Sequence, residues 1–197
     1  MKLRVGRDLR RDVARVAAVR QAVGPEMRIM CDANERLDLP TALWLGRQLA
    51  AYDIYWFEEP IPTPDIEGYR RLRNALPMAI ALGEHIFSKH AFLPYLVAGA
   101  VDVLQPDACL IGGITEALEA GRLADMHGRA TAPHFMTELN VHLAAALPRA
   151  GYVEFYPFMD ELLVERLELD RGEVLVPQRP GHGVSFTAEA WRRYRVA

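Results

Sequence analysis

Short apolar runs alternate with amphipathic stretches along almost the whole chain. Residues 3–5 read as a strand and lead into 8–23, where Leu9, Val13, Val16 and Ala17 fall near helical spacing. Residues 27–33 read as the next strand, followed by a helix over 40–51 with Pro40 suited to its first position. The pattern repeats as strand 54–57 and helix 65–76, strand 79–82 and helix 89–97, and strand 101–104 and helix 114–127. It ends with strand 129–132, helix 137–147 and strand 152–155. Seven strands and six helices in strict alternation predict parallel strands joined by crossover helices. The strands are short and mostly apolar, as expected when both faces are covered. After Tyr156 the pattern changes to a hairpin over 167–176, a turn-rich loop over 177–183 and a closing helix over 187–194. No linker interrupts the series, so residues 1–197 read as one domain.

Composition narrows the class without naming a function. With 51% apolar and 25% charged residues, the chain is neither disordered nor fibrous. A net charge of −3 without basic runs gives no nucleic-acid footprint. No apolar run approaches the roughly 18 residues of a membrane helix, and no signal segment leads the chain, so a cytoplasmic protein is expected. Cys31 and Cys109 lie far apart in apolar runs and read as reduced, buried thiols. Lys2 and Lys89 are the only lysines among 23 basic residues.

The chemistry lies in what ends each strand. Arg4, Asp32, Glu58, Glu84, Asp107, His134 and Glu154 each sit at a strand's last position or just beyond it, at intervals of one βα unit. In a barrel the C-terminal strand ends converge on one mouth, whereas in an open sheet they spread along an edge. Seven such side chains in series favour the barrel. Asp32, Glu58 and Glu84 would then stand side by side, and bare carboxylates so close repel and raise at least one pKa. A divalent cation removes the conflict. An all-oxygen set without Cys or His points to Mg²⁺, with Mn²⁺ next, rather than Zn²⁺. One carboxylate alone at such a position is more often a helix cap; three in phase on successive strands are not.

Period two places Lys2 on the same face as Arg4, and Asn34 on that of Asp32 if the extended path continues. Glu59 faces away from Glu58 and is expected to form a salt bridge to a neighbouring helix rather than bind metal. His134 follows Ala132-Pro133 and adjoins the strand ending in Asp107. A carboxylate on one ring nitrogen fixes the tautomer and makes the other nitrogen more basic, the arrangement a general base requires. His85, His90, His127, His142 and His182 lack such a partner and read as structural.

Lys2-Leu3-Arg4, Asp32-Ala33-Asn34, Trp56-Phe57-Glu58-Glu59-Pro60, Gly83-Glu84, Gln105-Pro106-Asp107, Gly112-Gly113-Ile114-Thr115, Ala132-Pro133-His134 and the late Glu154 together resemble the mandelate racemase subgroup of the enolase superfamily. The ordered set covers essentially the whole chain. The resemblance implies a (β/α)₇β TIM-like barrel lacking its N-terminal capping domain and first strand, with Met1 a mis-assigned start or the edge of a fragment. It implies Asp32, Glu58 and Glu84 as Mg²⁺ ligands, His134 paired with Asp107 as base, and Glu154 as donor to the substrate carboxylate. Lys2 and Arg4 occupy the K-x-K position, whose second lysine is the opposite base and whose first approaches the substrate carboxylate. Asn34 resembles a substrate contact.

The shared step implied is proton abstraction α to a carboxylate, with an enediolate stabilised by metal. A small-molecule carboxylate is the implied partner, with no nucleic acid or membrane, and a homo-oligomer is expected of the full-length protein. Arg4 departs from the family pattern. A guanidinium stays protonated to above about pH 12 and does not accept the proton. One-base chemistry is therefore expected. The segment from His134 to Glu154, with Met136-Thr137-Glu138-Leu139 and Pro157-Phe158, also resembles acid-sugar dehydratases. Racemisation, epimerisation and cycloisomerisation are the alternatives within the superfamily. A truncated, non-catalytic fragment is the alternative outside it.

Overall fold

A computed structural model describes residues 1–196. Strands β1 (Lys2–Arg4), β2 (Ile29–Asp32), β3 (Ile54–Glu58), β4 (Ala79–Leu82), β5 (Val103–Leu104) and β6 (Ala130–Thr131) form one parallel sheet in sequence order. Between and after them run helices α1 (Leu9–Val23), α2 (Leu39–Leu49), α3 (Ile66–Ala75), α4 (Lys89–Val97), α5 (Ile114–Met126) and α6 (Thr137–Ala146). The tail adds the hairpin β7 (Leu169–Asp170) and β8 (Glu173–Val174), then α7 (Ala188–Tyr194), as the sequence predicts.

Local chemistry sets the helix starts. Asp8, Asp38 and Asp65 cap α1, α2 and α3 by accepting from Arg11 N at 3.2 Å, Thr41 N at 2.9 Å and Gly68 N at 2.9 Å. The Asp38 cap moves the start of α2 one residue before Pro40, which takes the second helical position. Among the described residues no helix is long and apolar enough to cross a membrane.

The sheet has two distinct faces, as period-two alternation requires. Ile29, Cys31, Phe57, Ile80, Leu82 and Leu104 pack outward against the helices. Met30, Trp56, Ala81, Val103 and Ala132 pack together on the concave side. Lys2 and Arg4 share registers with Met30 and Asp32, so they face inward too. Cys31 is buried, and burial pushes its thiol up to about 12. Cys109 is exposed, contrary to expectation, because Asp107 accepts from Cys109 N at 2.7 Å and turns the chain outward.

The expected strand over 152–155 does not form. Only a single parallel bridge, Thr131 to Ala150, extends the sheet beyond β6. The chain instead crosses the concave side towards β1. Tyr152 packs edge-on against Trp56 and accepts from Arg28 Nη1 at 2.6 Å, while Glu154 meets Lys2. β1 pairs with β2 alone, so among the described residues the sheet stays open between β1 and β6. A cavity of about 350 Å³ lies in this opening, lined in part by Lys2, Trp56, Gln105 and Glu154.

Gly83, at the exit of β4, brings two strands unusually close. A Cβ there would stand 2.5 Å from the backbone carbon and oxygen of Gln105, at a φ of +156°. Neither backbone atom yields as a side-chain tip would. Gly83→Ala is expected to cost about 3 kcal/mol in denaturant unfolding. Gly128→Ala, at φ +67° in open space, is expected to cost only about 1 kcal/mol. Equal costs at the two positions would contradict the close approach.

Candidate active site

The parallel ladder fixes the first relationship. Asp32 is the register partner of both Arg4 and Glu58, so three charged side chains leave adjacent strands at one level and on one face. Asp32 and Glu58 are each 1% exposed. Asp32 Oδ1 accepts from Asn34 N at 2.8 Å, closing a tight turn after β2, while Oδ2 lies 2.8 Å from Arg4 Nη1 and 3.5 Å from Lys2 Nζ. Glu58 Oε1 accepts from Lys2 Nζ at 2.7 Å, and its Oε2 accepts from Trp56 Nε1 at 3.0 Å. Lys2 Nζ also meets Glu154 Oε1, so one ammonium ties three acids together.

The other half of the site centres on His134. Its Nδ1 lies 2.9 Å from Asp107 Oδ2, and its Nε2 lies 2.5 Å from Glu84 Oε2 and 3.6 Å from Glu154 Oε2. The ring stacks on Phe135, whose N–H donates to Glu154 Oε2 at 3.0 Å. Asn34 Nδ2 donates to Glu84 Oε1 at 2.5 Å and joins the two halves. Lys2, Arg4, Asp32, Asn34, Glu58, Glu84, Asp107, His134 and Glu154 thus form one continuous network at the strand tips.

The charges respond to this crowding. Burial, then the Glu58 charge, push Asp32 up to about 7 against the pull of Lys2 and Arg4. Burial alone would lower Lys2, but Glu58, Glu154 and Asp32 outweigh it and hold the amine above its ordinary range. Burial likewise opposes the charged form of His134, yet the contacts with Asp107 and Glu84 raise it to about 10. Glu84 is held below its usual value: burial works against this, and the His134 contact overcomes it.

Three buried carboxylate oxygens remain without a hydrogen bond: Asp32 Oδ2, Glu84 Oε2 and Glu154 Oε1. Each is met instead by an ion-pair contact, Asp32 Oδ2 by Arg4, Glu84 Oε2 by His134 and Glu154 Oε1 by Lys2. Anionic oxygens held at one mouth only by internal cations are what a hard divalent cation can take over, and the donor set Asp32, Glu58 and Glu84 suits Mg²⁺. Among the described residues, only Glu59, Glu84 and His85 bring three donor atoms within 4.8 Å of one another. That tighter cluster is already satisfied within itself, because His85 Nδ1 lies 2.7 Å from Glu59 Oε2. The less compact trio holds two of the three oxygens without a hydrogen bond, on Asp32 and Glu84. Lys2 and Arg4 draw Asp32 and Glu58 to one side, while Glu84 leans towards His134.

Sequence reasoning passed over several neighbours. Among the described residues Glu59 forms no salt bridge to a helix; it is buried and bonds to His85 and to Gly83 N in the turn after β4. His85 is therefore not without a carboxylate partner. Trp56 stands two residues before Glu58 on the same face, a spacing that could have revealed its bond. Asn140 is fully buried and donates to the His134 carbonyl at 2.5 Å. Nothing in its helical setting signals that contact.

Comparison with known proteins agrees with this architecture. Residues 1–190 match the family model described as enolase C-terminal domain-like. The chain is 38% identical over 193 residues to L-talarate/galactarate dehydratase of Salmonella typhimurium, covering 98% of this chain and 48% of that protein. It is 35% identical over 213 residues to D-galactarolactone cycloisomerase of Agrobacterium fabrum, covering 99% and 56% respectively. The crystal structure of L-talarate dehydratase from Polaromonas, complexed with Mg and L-glucarate, superposes with a TM-score of 0.94 at 40% identity. That superposition covers 98% of this chain and 54% of the other. The chain spans about half the length of the relatives it matches. A family match over residues 1–190 makes the chain a member of the enolase C-terminal domain-like family of the enolase and mandelate racemase superfamily.

Proposed function

We propose that this chain carries the catalytic centre of a Mg²⁺-dependent enzyme that removes the proton α to the carboxylate of an acid sugar and eliminates water. The observation that carries this reading is His134. Its Nδ1 is oriented by Asp107 at 2.9 Å, and its Nε2 faces buried carboxylates. Asp32, Glu58 and Glu84 would hold Mg²⁺ (Mn²⁺ as the substitute), whose charge would stabilise the negative charge developing on the substrate carboxylate. The dehydratases from Salmonella and Polaromonas, the latter solved with Mg and L-glucarate, support both the cation and the substrate class.

Each residue then has a defined task. Asp107 accepts from Nδ1–H of His134 and leaves Nε2 as the acceptor of the α-proton. The resulting imidazolium donates a proton to the β-hydroxyl, which departs as water while the Cα–Cβ double bond forms. The enol product tautomerises to a 2-keto-3-deoxy acid. Glu154 donates to the substrate carboxylate when protonated. Lys2 and Asn34 contact that carboxylate, and Arg4 adds positive charge beside it. A racemase would need a proton acceptor on the opposite face. Arg4 cannot supply one, and Lys2 is held charged by its three acids. Cycloisomerisation uses the same base with a different leaving group, and the Agrobacterium relative keeps it as the second reading. A remnant without activity is the third.

Incubated with Mg²⁺ and an acid sugar in deuterated water, the intact protein is expected to exchange the α-proton, or eliminate water, from one configuration at C2 only. His134→Asn is expected to lower that rate by about 10³-fold. Exchange from both C2 epimers would restore Lys2 as a second base. A lactone opened or closed without loss of water would identify the cycloisomerase. Neither exchange nor Mg²⁺ binding would identify the remnant.

Metal binding should also move protons. Asp32, pushed up to about 7, must ionise to serve as a ligand, and His134, raised to about 10, loses the Glu84 contact that helps hold its proton. Mg²⁺ binding at pH 8 is therefore expected to release protons, and affinity to rise as pH increases through 7. Calorimetry in two buffers of different ionisation enthalpy measures this directly. Binding without proton release would show that the metal leaves the His134–Glu84 contact intact.

A further inference from the structure

The ligands proposed above stand at the tips of separate strands, each followed by its own turn. One residue outside the ligand set touches all three turns. Glu59 follows Glu58 with a positive φ of 36°, which sends its side chain away from the cavity face and towards the exit of β4. Its carbonyl accepts from Glu35 N at 2.8 Å, in the turn that follows Asp32. Its own N–H donates to Ala81 O at 2.9 Å, at the end of β4. Its carboxylate then brackets Glu84 from both sides, with Oε1 accepting from Gly83 N at 3.4 Å and Oε2 standing 2.7 Å from His85 Nδ1.

This side chain is 1% exposed, so its contacts do not compete with bulk water. Burying a carboxylate costs stability unless its oxygens are bonded, and both Glu59 oxygens have partners on the residues flanking Glu84. Gly83 itself packs so close to the Gln105 backbone that a Cβ there would stand 2.5 Å from it. His85 lies 3.9 Å from Glu35 Oε2 as well, and Glu35 Oε1 accepts from Thr63 N at 2.5 Å. The clamp is thereby anchored to the loop before α3.

We propose that Glu59, acting through Gly83 and His85, is a positioning residue that holds Glu84 in register with Asp32 and Glu58 and so sets the affinity of the metal site. The inference rests on the metal reading given above. Glu59 does not touch the cation. It fixes where the third carboxylate stands, and hydrogen-bond partners of metal ligands typically carry 10–100-fold in metal affinity.

The test is Mg²⁺ affinity by calorimetry on the intact protein, with Mn²⁺ electron paramagnetic resonance as a second readout and metal-free thermal melts alongside. Glu59→Gln keeps both contacts, since its carbonyl accepts from Gly83 N and its amide donates to His85 Nδ1. It is expected to bind within about threefold of wild type. Glu59→Ala removes both contacts and is expected to weaken Mg²⁺ binding by about 10–100-fold. His85→Ala removes only one, from a half-exposed position that leaves the core filled, and is expected to fall between them. It reads the clamp even if Glu59→Ala does not fold. Full-strength Mg²⁺ binding by Glu59→Ala or His85→Ala overturns the proposal, as does a Glu59→Gln variant as weak as the alanine. Wild-type protein that binds no Mg²⁺ overturns the metal site itself, a failure visible before any variant is compared.

Discussion

Like charges gathered where water is scarce dominate this structure. Asp32, Glu58, Glu84 and Glu154 crowd one mouth, with Asp107 and Glu59 immediately behind them. Their repulsion grows as the surrounding dielectric falls, and the parallel ladder forbids Asp32 and Glu58 from separating. Lys2, Arg4 and His134 offset that repulsion by standing between the acids. A cation-for-cation exchange follows from the geometry. A divalent ion that took up Asp32, Glu58 and Glu84 would release Lys2 from Asp32 and Glu58 and His134 from Glu84, while Glu154 and Asp107 stayed with them.

Backbone strain is concentrated at the same mouth. Asn34 and Glu35 follow Asp32 with φ of 46° and 61°, Glu59 follows Glu58 at 36°, and Phe135 follows His134 at 70°. Left-handed conformations at non-glycine residues persist only where surrounding contacts determine them. Here each one reverses the chain directly after a functional side chain, so that side chain ends its strand pointing into the mouth. The bonds from Ala33 N to Glu58 O, Glu35 N to Glu59 O and His134 N to Pro106 O hold these turns in place. Precision at the side chains thus rests on main-chain bonds between neighbouring turns.

Much of this was legible in the sequence because it follows from period and register. Alternation alone puts Lys2 with Arg4, Met30 with Asp32 and Trp56 with Glu58, and a parallel ladder then brings the tips together. Helical spacing placed the helix starts within one residue of where they lie. The segment 152–155 misled for a physical reason. Its alternating pattern suits a strand, but a strand needs a partner ladder, and Tyr152 found Trp56 and Arg28 across the opening instead. Glu59 misled differently. Facing away from Glu58 was correct; the assumption that a helix awaited it was not, because the positive φ turns it to the exit of β4. Cys109 reads as apolar context in sequence, yet the Asp107 turn presents it to solvent.

The same charges tie stability to function. A carboxylate whose folded pKa lies above its unfolded value binds its proton more tightly in the native state. Asp32 moves from 3.8 to about 7, so it withdraws stability as pH rises from about 4 through 7. At neutral pH the metal-free protein bears that cost in full. Lys2 works in the opposite direction: its raised pKa contributes stability at every pH below its ordinary value. A cation bound by the acids removes the Asp32 penalty and stabilises the native state by mass action. Evolution could have lowered the cost by replacing one acid with an amide. That change would leave two carboxylates in place of three and weaken the hold on a hard divalent ion, which is why a destabilising cluster of carboxylates is better explained by ligand binding than by folding.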